Sequence, residues 1–428
     1  MLAIAAYYDY EIWQMDVKTA FLNVYVKEEL YMMQPEGFID PQNANKVCKL
    51  QRSIYGLVQA SRSWNIRFDE MIKAFGFMQT YGEACVYKKV SGSSVAFLIL
   101  YVDDILLMGN DIELLDSIKA YLNKCFSMKD LGEAAYISCI KIYRDRSRRL
   151  IGLSQSTYLD KILKKFNMDQ SKKGFLPVLQ GVRLSSAQCP TTTEDIEEMS
   201  VIPYVSAIGS IMYAMLCTRP DVSLAVSLVG KYQSNPDKEH WTMVKNILKY
   251  LKRTKDMLVL VFGGDEELVV KGYVDASFDI DLDDSKSQTG YVYILNGGVV
   301  SWCSCKQSIV AGSTCEAEYM AASEAACEAI WMKEFITDLG VIPNASGPII
   351  LFCDYNGAIA LAKEPKFHKK TRHIKHRFNS IRENVQDGDI DICKVHTDLN
   401  VADPLIKPLP RAKHDQHQNS MGVRFITM

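Results

Sequence analysis

Asp103 and Asp104 interrupt an otherwise apolar stretch, Val95-Ala-Phe-Leu-Ile-Leu-Tyr-Val-Asp-Asp-Ile-Leu-Leu-Met108. The runs on either side are short and rich in β-formers, so they predict two buried strands joined by a tight turn. Adjacent carboxylates repel each other, and burying them unpaired is costly. The pair makes physical sense where a divalent cation lies against it. The alternative is a solvated Asp-Asp turn, since Asp is a common turn residue.

The 428 residues leave room for two or three domains, and 48% hydrophobic with 23% charged residues suits a globular chain with ample core. A net charge of −2 carries no global basic signature of a nucleic-acid binder. Grooves can still be basic locally while acidic clusters lower the sum. The twelve cysteines are scattered without a CxxC pair. Cys303 and Cys305 share one face of an expected strand and read as packing rather than ligands. Free thiols in such a chain suit a reducing compartment. No signal peptide is read, and the longest apolar run, Val95–Val102, is eight residues. That is too short to cross a bilayer, so no membrane contact is expected.

Short strands and helical segments mix over 1–145, with helical spacing over 61–77 through Trp64, Phe68, Met71, Ile72 and Phe75. A Thr- and acid-rich stretch at 181–200 reads as a loop. Residues 204–253 are largely helical by pattern, with Trp241, Val244, Leu248 and Leu251 on one stripe. From about 258 the pattern turns to strands, at 258–262, 268–274, 290–295 and 299–303, the last two flanking Asn296-Gly-Gly298. A helix follows, opened by the capping-box pair Ser313 and Glu316 and closed at Gly340, and then a strand at 349–353. No internal repeat is apparent.

Four acids in this last third share a placement. Asp275 ends an apolar strand, Glu318 lies in the first turns of the capped helix, Asp354 closes a strand, and Asp403 begins a late helical segment before Pro404. Carboxylates that converge from strand ends and a helix start can coordinate two Mg²⁺ ions, about 3.5–4 Å apart, for phosphodiester chemistry. Each alone has a plainer reading: Asp403 as an N-cap, for instance, and Glu316 as the capping-box acid. Near the N-terminus, Asp16 lies on an apolar strand before a turn and is a candidate partner for Asp103.

Taken together, Asp16-Val-Lys-Thr-Ala-Phe-Leu22, Tyr31-Met-Met-Gln-Pro-Glu-Gly-Phe38, Ser53-Ile-Tyr-Gly-Leu-Val-Gln-Ala-Ser61 and Tyr101-Val-Asp-Asp104 resemble successive motifs of a copia-type retrotransposon reverse transcriptase, in its plant form most of all. Leu131–Tyr136, Leu153–Tyr158 and Ala207–Tyr213 continue the likeness. Ser301-Trp302, Lys306-Gln307, Glu316-Ala-Glu-Tyr319 and Val401-Ala-Asp-Pro-Leu405 are similar to the linked ribonuclease H. The resemblance implies an α+β and α/β multidomain fold. A right-hand polymerase palm of ferredoxin-like type with partial fingers would span 1–145, thumb or connection helices 146–257, and a ribonuclease H-like α/β domain 258–428.

The resemblance also implies roles. Asp16, Asp103 and Asp104 would bind two Mg²⁺ (or Mn²⁺) for attack of a primer 3′-hydroxyl on a deoxynucleoside triphosphate. Phe21 would exclude a ribose 2′-hydroxyl, its plainer reading being a core Phe. Gln59 would touch nucleotide or template. Asp275, Glu318, Asp354 and Asp403 would be the metal ligands of a nuclease cutting RNA in an RNA–DNA hybrid, with His396 a weaker candidate beside them. Implied partners are an RNA template, a DNA primer and their hybrid; location would be cytoplasmic, in virus-like particles, or nuclear. The basic stretch Lys366–Arg377, with Lys366, Lys369, Lys370, Arg372 and Lys375, reads either as a phosphate path or as a solvated surface.

The likeness also has departures. Relatives of this kind carry a longer N-terminal part whose basic residues hold the triphosphate. Here fifteen residues precede Asp16, so an incomplete clamp is expected. Val24 stands where Gly is usual and predicts a strained turn. Val58 replaces Lys, Ser138-Cys139 replaces Leu-Gly, and Gly312 replaces an acid. Nuclease activity alone, or a non-catalytic nucleic-acid-binding relic, are the competing readings.

Overall fold

A computed structural model describes residues 1–256, 259–364 and 380–425. They divide into two compact units: residues 9–134, and residues 1–8 with 135–428.

In the first unit, six antiparallel strands lie in the order Met78–Gln79, Val86–Ser91, Ser94–Tyr101, Asp104–Gly109, Glu11–Val17, Met128–Glu133. Helices Ala60–Ala74 and Ile112–Cys125 with strands Glu11–Val17, Ser94–Tyr101, Asp104–Gly109 and Met128–Glu133 make a β-α-β-β-α-β core, the ferredoxin-like pattern, and Met78–Gln79 and Val86–Ser91 extend its sheet at one edge. Alternation along the strands explains how the layers form. Met15, Val17, Ile105 and Leu107 point into one core with Trp64, Phe68 and Ile72 of the first helix and Leu115, Ile118 and Leu122 of the second. The intervening Gln14, Asp16 and Asp104 belong to the opposite face. The expected strands on both sides of Asp103 are present, as is the helix expected over 61–77.

In the second unit, helices Ser156–Lys165, Tyr204–Cys217, Ser223–Gly230 and Lys238–Thr254 enclose a core that includes Val244, Leu248 and Leu251. The stretch at 181–200, expected as loop, contains the helix Thr193–Ser200, whose N-terminus is capped by the Thr192 hydroxyl accepting from Asp195 N. A five-stranded sheet runs Gly298–Lys306, Gln288–Leu295, Lys271–Ser277, Ile349–Cys353, Ile390–Lys394. Its first three strands are antiparallel, and the last two run parallel to Lys271–Ser277. The 26-residue helix Thr314–Leu339 packs on it. This is the ribonuclease H-like arrangement. The hairpin at Asn296-Gly297 has positive φ at both central residues, as a type I′ turn requires. Ser313 caps the long helix, but Glu316 reaches Gly312 N rather than closing a box on Ser313.

The expected boundaries at 145 and 257 are not where the units divide. Strand Leu150–Ser154 pairs with Ile140–Asp145 on one side and with Val259–Phe262 on the other, and Val259–Phe262 pairs in turn with Val423–Arg424. Ladder hydrogen bonds therefore cross both expected boundaries. Residues 2–8 form a helix whose Ala3, Ile4, Ala5 and Ala6 are buried, with Asn296 donating to Ala3 O. Among the described residues, no single helix is long and apolar enough to cross a membrane.

Candidate functional sites

In the first unit, Asp16 and Asp104 are directly paired residues on adjacent antiparallel strands. Asp103 lies in the two-residue turn that joins Tyr101 to Asp104. Val102, its other member, has φ 55°, a conformation that strains a β-branched residue. Two bonds hold the turn there: Trp64 Nε1 donates to Val102 O at 2.8 Å, and Val17 N to Asp103 O at 2.8 Å. Tyr55 Oη donates to Asp103 Oδ2 at 2.8 Å, while Asp103 Oδ1 is buried without a hydrogen-bond partner. Gln14 Nε2 donates to Asp104 Oδ1 at 3.1 Å. Burial, followed by its bond to Asp103, raises the Tyr55 phenol above its usual pKa.

Phe21 packs its ring 4.6 Å from that of Tyr55, so Tyr55 links it to Asp103. Gln59 is at the start of the Ala60–Ala74 helix, beside a cavity of about 560 Å³ lined also by Tyr25, Lys27, Arg62 and Arg67. Val24 is extended, at φ −115°, and the strain expected there is absent. Positive φ falls instead on Ser138 and Cys139, 46° and 65°, where they turn the hairpin between Ile137 and Ile140.

In the second unit, Asp275 comes from the central strand, Glu318 from the long helix, Asp354 from the residue after Ile349–Cys353, and Asp403 from a 3₁₀ turn, Asp403–Leu405. Asp275, Glu318 and Asp403 are buried. Asp275 Oδ1 accepts from Ala276 N at 2.9 Å; its Oδ2 and Glu318 Oε2 have no hydrogen-bond partner. Burial, the adjoining Asp403 carboxyl, and then Glu318 and Asp354, hold the Asp275 carboxyl well above its usual range. Burial and then Asp354 push Glu318 up to about 8. Vacant buried oxygens in an all-carboxylate set fit a hard divalent cation.

Among the described residues, one trio brings ligand atoms all within 4.8 Å of one another: Glu318, Asp354 and Cys353. Asp16, Asp103 and Asp104 are less closely gathered. The Cys353 thiol, buried and pushed up to about 12 mainly by that burial, was not singled out by the sequence.

Two further residues were missed. Asn400 Nδ2 donates to Val274 O at 3.0 Å, while its Oδ1 accepts from Ala402 N, tying the Asp403 turn to the Asp275 strand. Lys407 Nζ lies 2.6 Å from Asp403 Oδ1. Both stand in or beside the motif around Asp403, but only the fold reveals what they touch. His396 is exposed and caps the turn at Thr397, its Nδ1 accepting from Asp398 N. Lys366, Lys369, Lys370, Arg372 and Lys375 lie outside the described residues.

The first unit is a ferredoxin-like body with paired acids on the sheet face away from its helices, and the second holds a ribonuclease H-like body with four more acids. Residues 1–180 match the family described as reverse transcriptase (RNA-dependent DNA polymerase). The retrovirus-related Pol polyprotein of transposon TNT 1-94 from Nicotiana tabacum is 44% identical over 424 residues, 99% of this chain and 32% of that protein. A putative transposon Ty5-1 protein of Saccharomyces cerevisiae is 32% identical over 315 residues, 73% of this chain and all of that protein. A solved foamy viral protease–reverse transcriptase bound to double-stranded DNA aligns at TM-score 0.48 with 15% identity, covering 90% of this chain and 68% of that one. The chain belongs to the reverse transcriptase family of retrotransposon Pol polyproteins. It spans about a third of the tobacco polyprotein.

Proposed function

We propose that the chain carries the working parts of an RNA-directed DNA polymerase and a linked ribonuclease H. The observation that supports this most is the direct pairing of Asp16 with Asp104 on the sheet face away from the helices, with Asp103 in the adjoining turn. Two Mg²⁺ ions, or Mn²⁺, held by these acids would polarise the triphosphate and activate the primer 3′-hydroxyl. Around them, Tyr55 occupies one oxygen of Asp103 and leaves the other to a ligand, and Gln14 holds one oxygen of Asp104. The Phe21 ring, braced on Tyr55, is the proposed wall against a ribose 2′-hydroxyl. Gln59, in the lining of a cavity that also presents Lys27, Arg62 and Arg67 beside Glu28 and Glu70, is assigned to contact with nucleotide or template. Asp275, Glu318, Asp354 and Asp403 are assigned to hydrolysis of the RNA strand of a hybrid, using the same cations.

Primer extension on poly(rA)/oligo(dT) with Mg²⁺ tests the first activity. Product no greater than that of an Asp103→Asn, Asp104→Asn control removes it. Hybrid cleavage by the same preparation, against Asp275→Asn, tests the second. Nuclease activity alone is the second reading, favoured by the gathering of Glu318 and Asp354 with the Cys353 thiol. It predicts cleavage without extension.

A further inference from the structure

Among the described residues, Lys407 is the cation that reaches the carboxylates of Asp275 and Asp403. Lys407 is four residues after Asp403, across the 3₁₀ turn, and its ammonium lies 2.6 Å from Asp403 Oδ1 and 4.0 Å from Asp275 Oδ2. The two acids are 2% and 3% exposed. The lysine side chain is 39% exposed and reaches them from the solvent side. An exposed i,i+4 ion pair would be worth little. This one differs because both acids are buried and Asp275 Oδ2 has no hydrogen-bond donor. Like charges so close, without compensation, would disfavour the folded site.

We propose that Lys407 is the resident counterion of the Asp275–Asp403 pair, holding the two acids together in the metal-free protein, and that a divalent cation binding there must displace it. The inference rests on the nuclease reading above and adds a residue to it. Lys407 acts through the acids and is a positioning residue. Its stem has solvent to move into, so displacement requires no rearrangement of the core. Coupling between two sites of a protein typically changes affinity by about 5- to 150-fold, and a side chain that competes for the same oxygens should act at least at the lower end of that range.

The test uses the full chain in an Asp103→Asn, Asp104→Asn background, so that Mn²⁺ titrated by calorimetry reports the second unit. Lys407→Met should bind Mn²⁺ at least about fivefold more tightly than its parent. It should also melt at a lower temperature in EDTA. Lys407→Arg should restore both values toward the parent, and Lys407→Gln serves if the Met variant fails to fold. Unchanged or weaker Mn²⁺ binding in the neutral variants overturns the inference. If the parent binds Mn²⁺ and cleaves hybrid while the variants match it, this inference alone falls. If the parent binds no Mn²⁺, the nuclease reading falls with it.

Discussion

Tyr55 and Asp103, 48 residues apart, meet through a 2.8 Å hydrogen bond from phenol to carboxylate, so one oxygen of the turn acid is already engaged. A bond to a charged group is worth about 1.5–3 kcal/mol, and about 1.4 kcal/mol is a factor of ten in rate. Tyr55→Phe should therefore lower the rate of primer extension roughly tenfold or more and leave hybrid cleavage by the same preparation unchanged. Equal loss of both activities would mean that the substitution unfolds more than the turn.

The strain expected at Val24 is absent, whereas the hairpin between Ile137 and Ile140 carries it. Cys139 has φ 65°, where a side chain costs about 1–2 kcal/mol relative to Gly. Cys139→Gly should raise the melting temperature. Val24→Gly, at an extended position, should lower it, because flexibility gained by the unfolded chain brings no relief in the folded one. A differential scan of both variants checks the pair.

Arg219 and Asp221 form a buried ion pair, Nη2 to Oδ2 at 2.7 Å, with Tyr250 Oη and Gln418 Nε2 on the same carboxylate oxygen. Removing one partner should destabilise by about 3–5 kcal/mol, so Arg219→Met should unfold at markedly lower urea concentration. Burial raises the Asp221 pKa and Arg219 outweighs it, so the carboxyl is held below its usual range. That contribution to stability is present above the unfolded value, about pH 4, and is lost as the pH falls through the folded one.

Glu318 has the opposite sign. Its folded pKa, about 8, exceeds its unfolded value, so its contribution is full below about pH 4.3 and is lost as pH rises through 8. In EDTA the melting temperature should fall between pH 5 and 8. Glu318→Gln should flatten that slope, and Mg²⁺ should oppose it in the parent only. A slope unchanged by the Gln variant would assign the effect to other groups.

These cases separate what sequence can carry from what it cannot. The alternation of Met15, Asp16 and Val17 is local, and it placed Asp16 on the face away from the core. Asp275 was harder to place: it was expected to end its strand, but the strand runs on to Ser277 and Val274, Asp275 and Ala276 are all buried, so no alternation marks its face. Val24 and Cys139 show the limit, because the sign of φ depends on which residues occupy the turn once the strands pair. Tyr55, Asn400 and Lys407 became visible only when folding brought them to their acids; Asn400 binds Val274 across 126 positions. The boundary expected at 257 failed for the same reason, since its neighbours pair with strands on both sides.

The edge strand Val423–Arg424 sets a timetable. On the ribosome, residues 9–134 emerge as a contiguous block with all six strands of their main sheet and can fold while synthesis continues. The other unit draws on residues 2–8 and on Val423, so its sheet stays unfinished until Val423 has been made. Such distant pairings close slowly. Until then Val259–Phe262 has an open edge exposed to chaperones and to neighbouring nascent chains.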